Sequence, residues 1–267
     1  MTSAETLLAC CVVGLACFIG GEVVGARHTV LDEAAGTIAA KVARTGGVAR
    51  GTTDRRAPET GDVRRGTDGA AHARASVTRD EARRRIASGT SGTYIDELLV
   101  ARDSAIARWP DRVTRPLRVY VREGEALESW HPDFTSAVRD AFDTWAQVGI
   151  PVRFTFVRDS SSADISVRFV DEFANGISGK TVWSRDDAHW LLSGDIQLAV
   201  AHPHGGSVTP PQMRAIALHE VGHLLGLDHT EHPDHIMAAR VRVRDLSDAD
   251  KATVRLVYSV PAGSVRR

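Results

Sequence analysis

Beyond Cys17 the chain has no cysteine. It has three in 267 residues, Cys10, Cys11 and Cys17, all inside one apolar run near the N-terminus. The residues downstream can therefore form no disulfide, no thiolate zinc site and no cysteine nucleophile. A charge excess is missing too. The net charge is −1 with 25% charged residues, which excludes any global attraction to nucleic acid or an anionic membrane. Arginine is dense from Arg27 to Arg85, where acidic residues are fewer. The longest charge-free apolar run is "LLACCVVGLACFIGG", Leu7–Gly21. It is at the upper end for a signal-peptide core and short for a spanning helix, and no Lys or Arg precedes it. Val24-Gly25-Ala26 offers the small residues a signal peptidase reads. Residues 1–26 are thus expected to be a signal peptide or membrane anchor, making the protein secreted or membrane-anchored and extracytoplasmic.

Residues 27–77 contain Gly, Arg, Thr and Ala, few large apolar side chains and no period of 2 or 3.6. Such a stretch cannot bury enough surface to offset its ordering entropy and reads as a disordered linker. Order is expected from Thr78, a candidate N-cap with Glu81 three residues on. In "TYIDELLVARDSAIARW", Ile95, Leu98, Leu99, Ala105, Ile106 and Trp109 fall at roughly helical spacing, with Pro110 as the stop. Residues 78–115 therefore read as a helical lead-in to a domain at 116–267.

Within that domain "PLRVYV" (Pro116–Val121) alternates as a strand does. "PDFTSAVRDAFDTWAQVG" places Phe134, Val138, Ala141, Phe142 and Trp145 on one helical stripe that Gly149 closes. "VRFTFV" (Val152–Val157), "ADISVRFV" (Ala163–Val170) and "GDIQLAV" (Gly194–Val200) read as further strands, and "GKTVW" as a short edge piece. Thr209 is a natural N-cap with Pro210 at the first position of the helix that follows. A last helix starts at Ser247, with Asp248 and Asp250 in its first turn, where carboxylates suit the macrodipole. The order predicts an α/β fold of the α+β type, with one small twisted mixed sheet, two long helices and a C-terminal helix.

The densest chemistry lies in "ALHEVGHLLGLDHT", residues 217–230. His219 and His223 are four apart and share a helix face, so both imidazoles can reach one Zn²⁺ at about 2.0–2.1 Å. Glu220 projects to the flank of that face, where a base can take a proton from metal-bound water. A continuous helix would carry His229 about 15 Å from His219 along the axis. Gly226 can adopt positive φ, end the helix and fold His229 back as a third ligand. Three nitrogen ligands leave a fourth position open, as catalytic zinc requires. A surface or core histidine is the commoner fate of any single His, but the full set at these offsets arises by chance on the order of 10⁻⁴, which decides for the metal site. Glu220 would serve as general base in amide hydrolysis and return the proton to the departing amine.

"HEVGHLLGLDH" resembles the long zinc motif of the metzincins, and "HIM", with Met237 eight residues after His229, resembles their Met-turn. The nearest branch is the matrixins, peptidase family M10, over roughly Pro116 to Tyr258. The resemblance implies a zinc endopeptidase with one catalytic zinc on His219, His223 and His229, Glu220 as base and Met237 packed beneath the ligands. It implies a protein or peptide substrate lying along an edge strand, taken here as the one ending near Val200. Thr230 stands where the family usually has Ser. The loop between strands has only His189 and scattered acids, which argues against a second zinc. Ca²⁺ is unsupported, with Asp171, Asp186 and Asp187 reading as solvated loop charges. A latency thiol would have to come from the N-terminal run, so an exported form lacks one. "AARVRVR" after Met237 departs from the family's usual Tyr-Pro. Arg240, Arg242 and Arg244 there could favour acidic substrate side chains, although a solvated loop is the better reading.

His202, His204, His232 and His235 read as loop residues, Tyr258 as packing of the last helix, and Trp109, Trp145 and Trp183 as core. Two alternatives to a protease stay open: a zinc-stabilised binding module without catalysis, and a zinc amidase acting on non-protein amides.

Overall fold

A computed structural model describes residues 78–202 and 205–266. The expected signal or anchor at 1–26 and linker at 27–77 lie outside the described residues, as does His204. Residues 78–88 form a first helix, α1. Then follow α2 (Ile95–Ala101), β1 (Ala105–Ile106), β2 (Arg112–Arg122), α3 (Asp133–Ala146), β3 (Val152–Val157), β4 (Ile165–Val170), β5 (Gly179–Arg185), β6 (Leu191–Ala199), α4 (Pro210–Leu224), α5 (Asp248–Ser259) and β7 (Gly263–Ser264).

The main sheet runs β3-β2-β4-β6-β5, parallel except for β5, which pairs antiparallel with β6. Its strands alternate because only one face is covered. Leu117 and Val119 of β2, Ile165 and Val167 of β4, and Ile196 and Leu198 of β6 are buried. Their neighbours Arg118, Arg122 and Arg168 face solvent. The stripe of α3 seals the inner face: Phe134, Val138, Ala141, Phe142 and Trp145 are all buried. Gly149, at φ +93°, then turns the chain into β3.

Helix α4 is buried on nearly every side, as suits a helix enclosed by the sheet, α3 and the C-terminal segment. Its start follows the expected chemistry. Thr209 is the N-cap, Pro210 opens the helix, and the Gln212 side chain accepts from the Thr209 amide at 2.8 Å.

Two expectations are corrected. The strand ending near Val200 is not a free edge: β6 is paired with β4 on one side and β5 on the other, and the open edge beside α4 is β5. Strand order is set by the β5–β6 hairpin folding outward, which strand patterning does not reveal. The lead-in helix also stops at Ala101 instead of Trp109. Asp103 (φ 52°) and Ser104 (φ 59°) reverse the chain in the left-handed region, and β1 then pairs with β7 near the C-terminus. The polar Arg102-Asp103-Ser104 triplet favours such a turn, since Asp tolerates this backbone better than most residues. Ile106 and Trp109 are fully buried without a helix. Ala82, Tyr94, Leu98, Ile106 and Trp109 share one apolar core with the sheet and α4.

Candidate metal centre

The last turn of α4 closes by a Schellman arrangement. Gly226, at φ +96°, donates to the His223 carbonyl at 3.0 Å, and Leu227 donates to the Gly222 carbonyl at 3.0 Å. The chain reverses there and brings His229 back beside the helix. The Nε2 atoms of His219, His223 and His229 are 3.1, 3.2 and 3.3 Å apart. Ligands at 2.0–2.1 Å around a tetrahedral ion stand about 3.3 Å from one another, so the triad could hold such an ion.

The tautomers point the same way. His219 Nδ1 lies 2.7 Å from the Ile236 carbonyl, and His223 Nδ1 lies 3.1 Å from the Leu227 carbonyl. A carbonyl oxygen can only accept, so each Nδ1 carries the proton. Each Nε2 therefore presents a lone pair toward the other. Such a juxtaposition is one that a cation between the nitrogens would relieve. Burial, followed by the neighbouring His229, lowers the His219 pKa to about 4. Burial likewise holds His223 well below its usual value and lowers His229. Neutral imidazole is the form that binds metal.

Glu220 is 4% exposed. Burial raises its pKa to about 7, and the Thr181 hydroxyl opposes that shift. Thr181 Oγ1 lies 2.6 Å from Glu220 Oε2 and 3.0 Å from the Glu220 carbonyl. Gly179, two residues earlier on β5, has no room for a side chain, because a Cβ there would run into the Glu220 carboxylate. The edge strand is thus pressed against the glutamate.

Met237 is fully buried against α4. A Cβ on Gly222, between the two helical histidines, would collide with its sulfur. Thr230, next to His229, bridges to Ala238, next to Met237. The turn is held from behind by Asp250, which is completely buried. Asp250 Oδ2 accepts from the Ile236 amide at 3.0 Å and the Ser247 amide at 2.8 Å, and its Oδ1 accepts from the Tyr94 hydroxyl at 3.0 Å.

The lead-in supplies the remaining supports, none of them marked by sequence motifs. Arg102 donates to Asp228 Oδ2 at 3.0 Å and to the Leu227 carbonyl at 2.9 Å, the same carbonyl that orients His223. Asp228 Oδ1 accepts from the His229 amide at 2.8 Å. Trp109 Nε1 donates to the Leu224 carbonyl at 2.9 Å, satisfying an orphan acceptor at the helix end. Trp183 is half-buried on β5, with the Arg102 guanidinium 5.0 Å from its ring centroid.

The other residues singled out by sequence lie apart from the triad. His235 stacks on Tyr94 and neighbours His232. Arg108 lies over the Tyr258 ring. Asp186 organises the β5–β6 turn by accepting from the Trp190 amide. Arg240, Arg242 and Arg244 are exposed, while Val241 and Val243 between them pack on the core. Among the described residues, His219, His223 and His229 are the one group of three or more His, Cys, Asp or Glu close enough to share a metal ion.

The matrixin peptidase family model matches residues 120–259. Metalloendoproteinase 1-MMP of Arabidopsis thaliana is 29% identical over 146 residues, which cover 47% of this chain and 38% of that protein. Matrix metalloproteinase-15 of Homo sapiens is 27% identical over 158 residues, 48% of this chain and 22% of that protein. Metalloendoproteinase 1 of Glycine max is 26% identical over 147 residues, 48% of this chain and 46% of that protein. The match spans less than half the length of each of these relatives. Arg102, Ala107 and Trp109 precede the residues the family model covers.

Proposed function

Starting from the fact that this chain belongs to the matrixins, we propose that it is a zinc-dependent endopeptidase. The observation that carries this reading is the convergence of three Nε2 atoms within 3.3 Å, two of them from the helix that also carries the buried Glu220. His219, His223 and His229 would hold one zinc ion, which would supply a Lewis acid to polarise the scissile carbonyl and to acidify water near neutral pH. Glu220 accepts the proton of the attacking water and passes it to the departing amine. Ile236 and Leu227 fix the two helical imidazoles through their carbonyls, and Met237 supports them from below. An extended peptide lies along β5, whose outer side is unpaired.

The apolar run Leu7–Gly21 supports export or anchoring, and hence a secreted or membrane-tethered enzyme. No helix among the described residues is long and apolar enough to cross a membrane.

Metal analysis and cleavage profiling on a broad peptide library test the proposal. The expected result is one zinc per chain, cleavage by the natural sequence, and none by Glu220→Ala with zinc retained. Full activity in Glu220→Ala rejects the mechanism. Zinc binding without cleavage of any peptide favours the binding module. Cleavage confined to glycan-peptide amides favours the amidase.

A further inference from the structure

A carboxylate that is almost fully buried needs a hydrogen-bond donor to hold its direction. Among the described residues, the donor to the Glu220 carboxylate is the Thr181 hydroxyl, at 2.6 Å. That separation is in the range of a charge-assisted O–H···O⁻ bond. Thr181 and Gly179 are two apart on β5, so both face α4. They treat the two carboxylate oxygens differently. Oε2 is engaged by the hydroxyl, while Oε1 is the atom a Cβ on Gly179 would meet. The carboxylate is wedged between the Thr181 hydroxyl at Oε2 and the bare backbone of Gly179 at Oε1.

We propose that Thr181 is a positioning residue for Glu220: its hydroxyl locks Oε2 so that Oε1 faces the attacking water, and Gly179 provides the space this orientation needs. This rests on the reading of Glu220 as general base. The same strand then does two things. Its open side takes the substrate backbone, and its inner side fixes the base, so the distance between substrate and base is set within one element. A small error in that distance is costly, since reacting groups must be placed to well under 1 Å.

The test compares Thr181→Val, which keeps shape and removes the hydroxyl, with Thr181→Ser, which keeps the hydroxyl. In Thr181→Val, kcat is expected to fall about tenfold, with KM within about twofold and zinc content unchanged. Thr181→Ser is expected to restore kcat to within about threefold. A readout independent of turnover is the Glu220 side-chain carboxyl resonance in zinc-free protein labelled with carbon-13 glutamate, assigned by its absence in Glu220→Ala. It should move in Thr181→Val and stay in place in Thr181→Ser. Unchanged kcat and resonance in Thr181→Val overturn the proposal. So does a loss that follows zinc content or KM, and so does failure of Ser to rescue. If Glu220→Ala is inactive while Thr181→Val matches wild type, only the role of Thr181 falls. If Glu220→Ala is fully active, the base assignment and the proposal fall together.

Discussion

Replacing Gly226 with Ala tests whether the chain reversal is what makes the metal site. Two penalties act at this position. The backbone is at φ +96°, where a Cβ costs about 1–2 kcal/mol. The added Cβ would also run into the backbone carbonyl oxygen of Ala107, which cannot rotate aside as a side chain could. Forcing packed backbone segments apart costs about 1–3 kcal/mol more. Together they come to about 2–5 kcal/mol, a large share of the roughly 5–15 kcal/mol that holds a domain together. Gly149 is the internal control. Its φ is +93°, but a Cβ there meets nothing within 4 Å. Gly149→Ala is therefore expected to cost only the conformational part, about 1–2 kcal/mol. Because Gly226 precedes His229 by three residues, zinc affinity should fall about 10–100-fold in Gly226→Ala, as when groups orienting a ligand are disturbed. It should not change in Gly149→Ala. Denaturant melts under zinc saturation and a competitive zinc titration measure both. Equal destabilisation by the two substitutions, or unaltered zinc affinity in Gly226→Ala, would refute the reasoning.

Arg102→Met removes the donors to Asp228 and Leu227, and should cost about 2 kcal/mol together with about tenfold in zinc affinity, read by the same melts and titrations. Trp109→Phe strips the Leu224 carbonyl of its donor in a fully buried site, and should lower stability by about 2–3 kcal/mol in denaturant melts, with the zinc stoichiometry unchanged. Chelation should lower the melting temperature, and zinc at 100 times its dissociation constant should restore about 2.7 kcal/mol; a melt indifferent to zinc would count against the triad as a metal site. Asp164 is held below the usual carboxylate range by the Arg118 side chain, which grips it through Nε and Nη2. Its stabilisation is thus fully present above the unfolded value of about 3.9 and fades as pH falls through the lower folded value. Asp164→Asn should cost about 1 kcal/mol at pH 7 and progressively less in acid, measured as urea melts across pH 2–7.

What could be read from the sequence was what is encoded locally. The three histidines and the glutamate proposed as ligands and base lie between His219 and His229, and helix geometry with one glycine relates them without reference to the rest of the chain. The strands with one buried face announced themselves by alternation, and α4 and α5 by the caps Thr209 and Ser247. The supports of the site are of another kind. His219 is oriented by the carbonyl of Ile236, and His223 by that of Leu227; every residue has a carbonyl, so no side-chain identity at those positions could betray the role. Thr181 meets Glu220 from 39 residues away, and Arg102 meets Asp228 across 126. Neither contact is visible until the strand order and the turn at Asp103 and Ser104 are known. Those are the two features on which the sequence expectation failed, because the apolar spacing from Ile95 to Trp109 satisfies a helix and a helix-turn-strand equally well. The proposed ligands and the residues that hold them in place are therefore encoded differently. A family match that begins at residue 120 spans the histidine triad but omits Arg102, Ala107 and Trp109, which brace the loop that carries His229 from outside it. The same three histidines and glutamate on a chain without this lead-in would need other braces for the loop that carries His229.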